Sequence, residues 1–392
     1  MILMLTKRIW FRNFNIKKKN FKIKNYCEEL RIRFHNRTDP LLLSLSKYYE
    51  YSYDKKKINY FKKFKNFRII GMGGSILGTE AIYSFLKNKI KKNFLFLNNL
   101  NSKDKPKKNL KVCNIIVSKS GNTLETIVNI NSSRVRKDTI FITEDKISYL
   151  RLLANKLKSE IVNHNNYIGG RYSVLSETGM LPASLMGLNP NKFKQLDNLI
   201  RNKNFLNNLV SNVSAILFFH NSKKTNSIIL NYDEFSNDLF YWYQQLVAES
   251  LGKKSKGILP IISTMPKDNH SVLQLYLDGT KNNFFTFFFT KELKSKKILN
   301  SEIFGSLKYL KNKDFNDVLF SQFQATQNIF KKKKIPFRSF IVEKRNEETL
   351  GELFTFFILE TILLGKALNI NPFNQPSVEL IKKETTKILK KI

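Results

Sequence analysis

Cysteine is almost missing: Cys27 and Cys113 are the only two in 392 residues, too few and too isolated for a disulfide framework or a zinc site. A reducing compartment follows as the expectation, and with it a cytoplasmic location. Glycine (15) and proline (9) are too scarce for a collagen-like or mucin-like chain, and a hydrophobic content of 42% excludes wholesale disorder. No long apolar run is present either. The longest, Leu353 to Leu364, is twelve residues with Glu360 inside it, whereas a membrane-spanning helix takes ~20, so no membrane partner is expected. The N-terminus lacks the small-residue cleavage site of a secretory signal. Residues 1–27 contain no acid and eight basic side chains, which leaves a targeting role as a second reading, against the absence of serine.

Acidic residues are also few, 31 against 68 Lys plus Arg, for a formal charge of +37. Such an excess ordinarily raises nucleic acid as a partner. Here the basic clusters, Lys17–Lys19, Lys107–Lys108, Lys331–Lys334 and Lys390–Lys391, are scattered, and no stripe of cations with interleaved aromatics is found. Lys, Asn, Ile and Phe are over-used together, which fits drift toward A/T-rich codons. No nucleic-acid partner is expected.

What is there is α/β grammar: short apolar runs, Gly/Ser/Thr turns, then helical periodicity. FRII leads into GMGGSILG, CNIIVSKSGNT into a helix from about Leu124, and TIFIT into ISYLRLLANKL. With only crossover helices between strands, these make a parallel sheet. A second series runs SIILNY, FSNDLFYWYQQLVAES, GILPIIS, FFTFFF and SFIVE. At this length two domains are expected, with residues 1–60 as an N-terminal helical or extended segment, 61–220 and 221–345 as similar α/β domains, and 346–392 as a helical C-terminal segment.

Gly71-Met72-Gly73-Gly74-Ser75-Ile76-Leu77-Gly78 sits between strand and helix, where backbone N–H groups and the helix dipole favour an anion. Ile76 occupies the last glycine of a dinucleotide fingerprint, and no Lys-Ser/Thr follows as in a nucleotide P-loop. The next strand ends in Ser118-Lys119-Ser120-Gly121-Asn122-Thr123, whose hydroxyls and N–H groups suit a phosphate monoester; a helix cap is the plain alternative for Ser118 and Thr123. Arg171, after Gly169-Gly170, can stabilise a developing oxyanion or make a structural ion pair. Glu249 ends a helix among aromatic and aliphatic neighbours, an apolar setting that suits a general base, although a solvated helix charge is the commoner fate. Of the four histidines, only His270 falls at a strand-to-helix junction, in Asp268-Asn269-His270-Ser271.

The strings GMGGSILG, SKSGNTLET, GGRYSVLSETG, QQLVAESLGK, NHSVLQLYLDGTK and NQPSVELIK, in that order from residue 67 to near the C-terminus, resemble the phosphoglucose isomerase (glucose-6-phosphate isomerase) family. The resemblance implies two sugar-isomerase domains, each a mostly parallel sheet in a three-layer αβα sandwich. It also implies a homodimer with shared active sites, and an aldose–ketose isomerase interconverting glucose 6-phosphate and fructose 6-phosphate through a cis-enediol, in glycolysis and gluconeogenesis, with no metal and no cofactor. By position it assigns the base to Glu249, ring opening to His270, contributed across the dimer, with Lys382, and contact with the enediol to Arg171. Gly74 and Ser75 of the glycine loop, Ser118, Lys119, Ser120 and Thr123 of the cradle, and Gln245 and Gln375 are implied to bind substrate.

Two motifs depart from the family's usual form. SKSGNT stands where SKSGTT or SKTFTT is usual, and NQPSVE where DQPGVE or NQPGVE is; Ser377 then requires a negative φ. The chain is also shorter than typical members. The nearest rival substrate is mannose 6-phosphate, which differs by one epimeric hydroxyl. From another class, a non-catalytic sugar-phosphate sensor would have no need of Glu249, His270 and Lys382 together.

Overall fold

The computed structural model describes residues 3–16, 20–100, 111–133, 135–291, 295–299 and 303–392. The basic clusters Lys17–Lys19 and Lys107–Lys108 lie outside the described residues. Among the described residues, eleven strands form two sheets. An N-terminal ribbon, β1 (Leu3–Met4) and β2 (Ile9–Arg12), is followed by β3 (Asn66–Ile70), β4 (Asn93–Leu97), β5 (Val112–Val117), β6 (Thr139–Thr143) and β7 (Glu160–Asn163). Then come β8 (Asn226–Asn231), β9 (Leu259–Thr264), β10 (Asn283–Thr290) and β11 (Phe337–Val342).

The first sheet has the order β4-β3-β5-β6-β7 and is parallel throughout. Every residue of β6 is buried, as a parallel strand covered on both faces requires. The chain leaves β3 for β4 on one side and returns to β5 on the other, so the crossovers diverge between β3 and β5. At such a reversal the carboxyl ends of two strands open a crevice. GMGGS follows β3 and SKSGNT follows β5, so both turns meet there.

The second sheet runs β1-β2-β11-β10-β8-β9. Its strands β8 to β11 are parallel, and the ribbon adds to β11 antiparallel, with Phe11 opposite Phe340. The ribbon is well anchored. Leu5, Ile9, Phe11 and Phe14 are buried, Thr6 Oγ1 donates to Glu352 at 2.7 Å and Arg8 to the same carboxylate at 2.6 Å.

The apolar run noted in the sequence lies within the helix Glu347–Ala367, buried from Thr349 to Gly365. An all-round apolar helix belongs inside the protein, and among the described residues no helix is long and apolar enough to cross a membrane. Its Glu360 is fully buried and paired with Arg338 of β11, itself fully buried. Arg338 also donates to Thr286 at 2.9 Å and Asn212 at 2.9 Å, and Tyr243 donates to Glu360 at 2.9 Å. This network joins β10, β11, the central helix and two further helices, one of them carrying Glu249.

Between the sheets, the helix Leu77–Phe85, which follows the glycine loop, packs on Asn237–Leu251. Burial, and secondarily the charge of Asp238, pushes the Glu80 carboxyl up to about 7, opposed by an Asn98 amide donating at 2.7 Å. A carboxyl raised in the fold retains its proton while the unfolded chain has lost its own, so stability falls as pH rises from about 4.5 to about 7. We predict that Glu80→Gln loses less thermal stability than the parent between pH 5 and pH 8. Superimposable Tm-against-pH curves would show that Glu80 contributes nothing to this slope.

Candidate active site

The glycine loop is built for close approach. Gly73 has φ +53, and a Cβ there would stand 2.8 Å from Gln245 Nε2. A Cβ on Gly74 would stand 2.3 Å from the carbonyl carbon of Gly170 and 2.4 Å from Arg171 N, a backbone contact that cannot yield cheaply. The loop is thereby pressed against the Gly170–Leu175 turn on one side and the Asn237–Leu251 helix on the other. Two glycines in the sequence therefore set where Arg171 and Gln245 stand.

Arg171 and Glu249 meet at 3.2 Å, with side chains 2% and 24% exposed. The guanidinium is ligated on every side: Nε donates to Ser250 Oγ at 2.7 Å, Nη1 to Gln375 Oε1 at 2.9 Å, and Nη2 to the carbonyls of Pro372 at 2.6 Å and Asn374 at 3.2 Å. Gln245, one helical turn before Glu249, donates to its other oxygen at 2.9 Å. The carboxylate thus has polar partners on both oxygens, in place of the apolar surround expected from its helix. It is neither facing bulk solvent nor remote from the glycine loop. Gln245 Oε1 is buried and unpartnered, an acceptor left for a further donor.

In the second turn Ser118 is buried, shares a 2.8 Å bond with Thr123 Oγ1 and accepts the Gly121 N–H at 3.2 Å. Thr123 starts the helix Leu124–Ser132 without capping it through its side chain, and the helix after the glycine loop begins without a side-chain cap as well. Ser120 is exposed and accepts the Asn122 N–H at 3.3 Å. A Cβ on Gly71 would stand 3.0 Å from Val117 O, so the two turns touch. Two adjoining uncapped helix starts, with hydroxyls between them, suit an anion. Lys119 is turned aside, donating to Asn166 O at 2.6 Å and lying 3.5 Å from Glu144. Ser75 is half-buried at the start of its helix.

His270 ends the turn Lys267–His270 after β9, exposed to solvent. Among the described residues it makes no hydrogen bond or ion pair with Arg171 or Glu249. Lys382 stands on the exposed C-terminal helix Val378–Leu389. Gln375, exposed in the preceding turn, bonds the cluster directly through Arg171. Ser377 has φ −69, so serine replaces the family's glycine there without strain.

Three participants escaped the sequence reading. Ser250 accepts from Arg171 and shares a 2.9 Å bond with Tyr172 OH; Tyr172 also donates to Pro372 O at 3.1 Å. Lys253 donates to Asn371 O at 2.6 Å and Ser250 O at 3.0 Å. Their adjacency to Arg171 and Glu249 in the sequence was the available signal.

Residues 54–392 match the family described as phosphoglucose isomerase. A glucose-6-phosphate isomerase of Methanocaldococcus jannaschii is 32% identical, the match covering 87% of this chain and 88% of that one. Among solved structures, a hypothetical protein from Thermus thermophilus superposes with TM-score 0.82 at 22% identity, over 94% of this chain and 96% of that one. A glucose-6-phosphate isomerase from Chlamydia trachomatis gives TM-score 0.66 at 17% identity, over 97% of this chain but 76% of that one. These two likenesses are of fold.

Proposed function

The chain belongs to the phosphoglucose isomerase family and is a glucose-6-phosphate isomerase, and we propose that the Arg171–Glu249–Gln245 cluster and the two turns beside it carry that reaction. The enzyme interconverts an aldose and a ketose 6-phosphate, a step of glycolysis and gluconeogenesis. The reading of the site rests on one observation above all: the carboxylate of Glu249 is oriented through both oxygens, on a helix against which the glycine loop is pressed.

In this reading the phosphate lies on the turns, held by Ser75, Ser120 and Thr123 hydroxyls, by N–H groups of Gly74 and the Leu124–Ser132 helix, and by Lys119 once it leaves Asn166 and Glu144. Ser118 shapes the turn. Glu249 takes the C2 proton of the opened aldose and returns it to C1, and Arg171 with Gln375 neutralises the enediolate. Ring opening needs a donor at the ring oxygen and an acceptor for the anomeric hydroxyl, assigned to His270 and Lys382. Since His270 is exposed and apart from Glu249, we assign it to the site of a second copy. The exposed Leu380 (69%) and Ile381 (70%) of the C-terminal helix support such an apolar contact. We retain the division into domains at 61–220 and 221–345, and a cytoplasmic site of action in keeping with the two buried free cysteines.

The test is turnover of glucose 6-phosphate by the purified protein, with mannose 6-phosphate alongside and a chelator present. Binding without turnover would favour a sensor, and loss of turnover with the chelator would count against this mechanism. His270→Ala is expected to lose more activity on cyclic substrate than on the open-chain form. Mixed with Glu249→Gln subunits it should regain activity, because one intact site forms per mixed dimer; no recovery would place His270 outside a shared site.

A further inference from the structure

The Asn237–Leu251 helix is followed by a tight turn, Lys253 to Lys256, closed by reciprocal backbone bonds of 3.1 and 3.0 Å. Its central residues, Lys254 and Ser255, have φ +53 and +56. Both adopt the left-handed conformation that glycine or asparagine ordinarily occupies, which costs free energy and persists only where surrounding contacts impose it. Two lysine side chains supply those contacts. Lys256 Nζ donates to Leu368 O at 2.9 Å, at the end of the buried central helix. Lys253 Nζ donates to Ser250 O and to Asn371 O, spanning from the catalytic helix to the 371–375 turn.

That turn supplies Arg171 with two carbonyls and the Gln375 side chain. Arg171 in turn meets Glu249. The ammonium of Lys253 thus ties directly the two chain segments that Arg171 and Tyr172 also bridge through Ser250 and Pro372. We propose that Lys253 is a positioning residue, holding the 371–375 turn, and through it Gln375 and Arg171, in the register at which Glu249 works. This rests on the isomerase reading of the site and adds a residue to it.

The charged groups facing Lys253 are Arg171 from the Gly170–Leu175 turn and Glu249 from its own side; residues 371–375 bring carbonyl dipoles and no titratable group. Burial first, then Arg171, pushes the lysine down to about 8, against the opposing pull of Glu249. Above that pH the ammonium becomes a neutral amine with one donor fewer, and the tie weakens.

The experiment measures kcat and KM for glucose 6-phosphate from pH 6.5 to 9.5, with inhibition by inorganic phosphate, in the full-length protein, Lys253→Met and Lys253→Arg. In the parent, kcat should fall above pH about 8. Lys253→Met should lose about tenfold or more in kcat, since small misplacements of reacting groups are expensive in rate, with phosphate inhibition unchanged because the cradle is untouched. Lys253→Arg, which keeps a charged donor, should recover much of kcat and move the alkaline limb upward. A Lys253→Met kcat within about twofold of the parent, or an alkaline limb unmoved in Lys253→Arg, overturns the proposal. Should Lys253→Met not fold, the parent and Lys253→Arg profiles decide. A parent that binds phosphate but turns over no sugar phosphate refutes the isomerase reading itself, whereas an active parent with indifferent variants refutes only the tie.

Discussion

Glu249→Gln should bind fructose 6-phosphate as the parent does and lose about 10²–10⁴ in kcat, the range for removing a positioned acid–base group. The substitution is nearly isosteric. Its amide oxygen can face Arg171 while its NH2 donates to the Gln245 amide, whose unpartnered Oε1 is free to turn toward it, so the local packing survives while the proton acceptor is gone. Binding by calorimetry with turnover by coupled assay separates the two effects. Glu249→Asp keeps the charge but withdraws it by one methylene and should fall between. Turnover of Glu249→Gln within about tenfold of the parent would take Glu249 out of the proton-transfer role.

The second large effect is on stability. Arg338→Met leaves Glu360 fully buried with its cationic partner gone, and breaking a buried pair from one side costs about 3–5 kcal/mol. For a chain of this length unfolding as one unit, that corresponds to a Tm lower by roughly 5 °C. The double variant Arg338→Met/Glu360→Met removes both charges and should be less destabilised than either single change, although Asn212 and Tyr243 then lose partners. A double variant as unstable as the sum of the singles would mean that the pair carries no coupling. Because Tyr243 lies on the helix of Glu249, activity measured well below Tm should fall as well.

Most strands legible in the sequence are buried on both faces, the partly buried edge strand β9 being the exception. β6 and β10, TIFIT and NFFTFFFT, read as continuous apolar runs because helices cover both sides. The edge strand β7, EIVN, is only partly buried and its mixed composition carries no such signal, while the edge strand β4, NFLFL, is an apolar run too short to be told from a helix segment. The ribbon β1–β2 escaped for another reason: its partner is β11, near the opposite end of the chain, and no local pattern announces so distant a pairing. At the site, the glycine loop and the hydroxyl turn stand out by composition, because a tight contact requires glycine and a turn before a helix favours hydroxyls, whereas Arg171 and Glu249 are singled out only by the family resemblance, an ion pair or a solvated charge being the commoner fate of either residue type. The carbonyls of Pro372 and Asn374, which take up half of the Arg171 fork, have no counterpart in residue type. Lys119 shows the limit of motif reading in the other direction, since its ammonium is engaged with Asn166 and Glu144.

The pairing of Ile9–Arg12 with Phe337–Val342 also governs how the protein is made. During synthesis the Ile9–Arg12 segment emerges well before its docking strand, so it waits unpaired until Phe337–Val342 follows. Trimming those first residues, or fusing a bulky tag to them, would bare a flat edge of aromatic strand and invite clumping in the cell, with the catalytic crevice itself untouched.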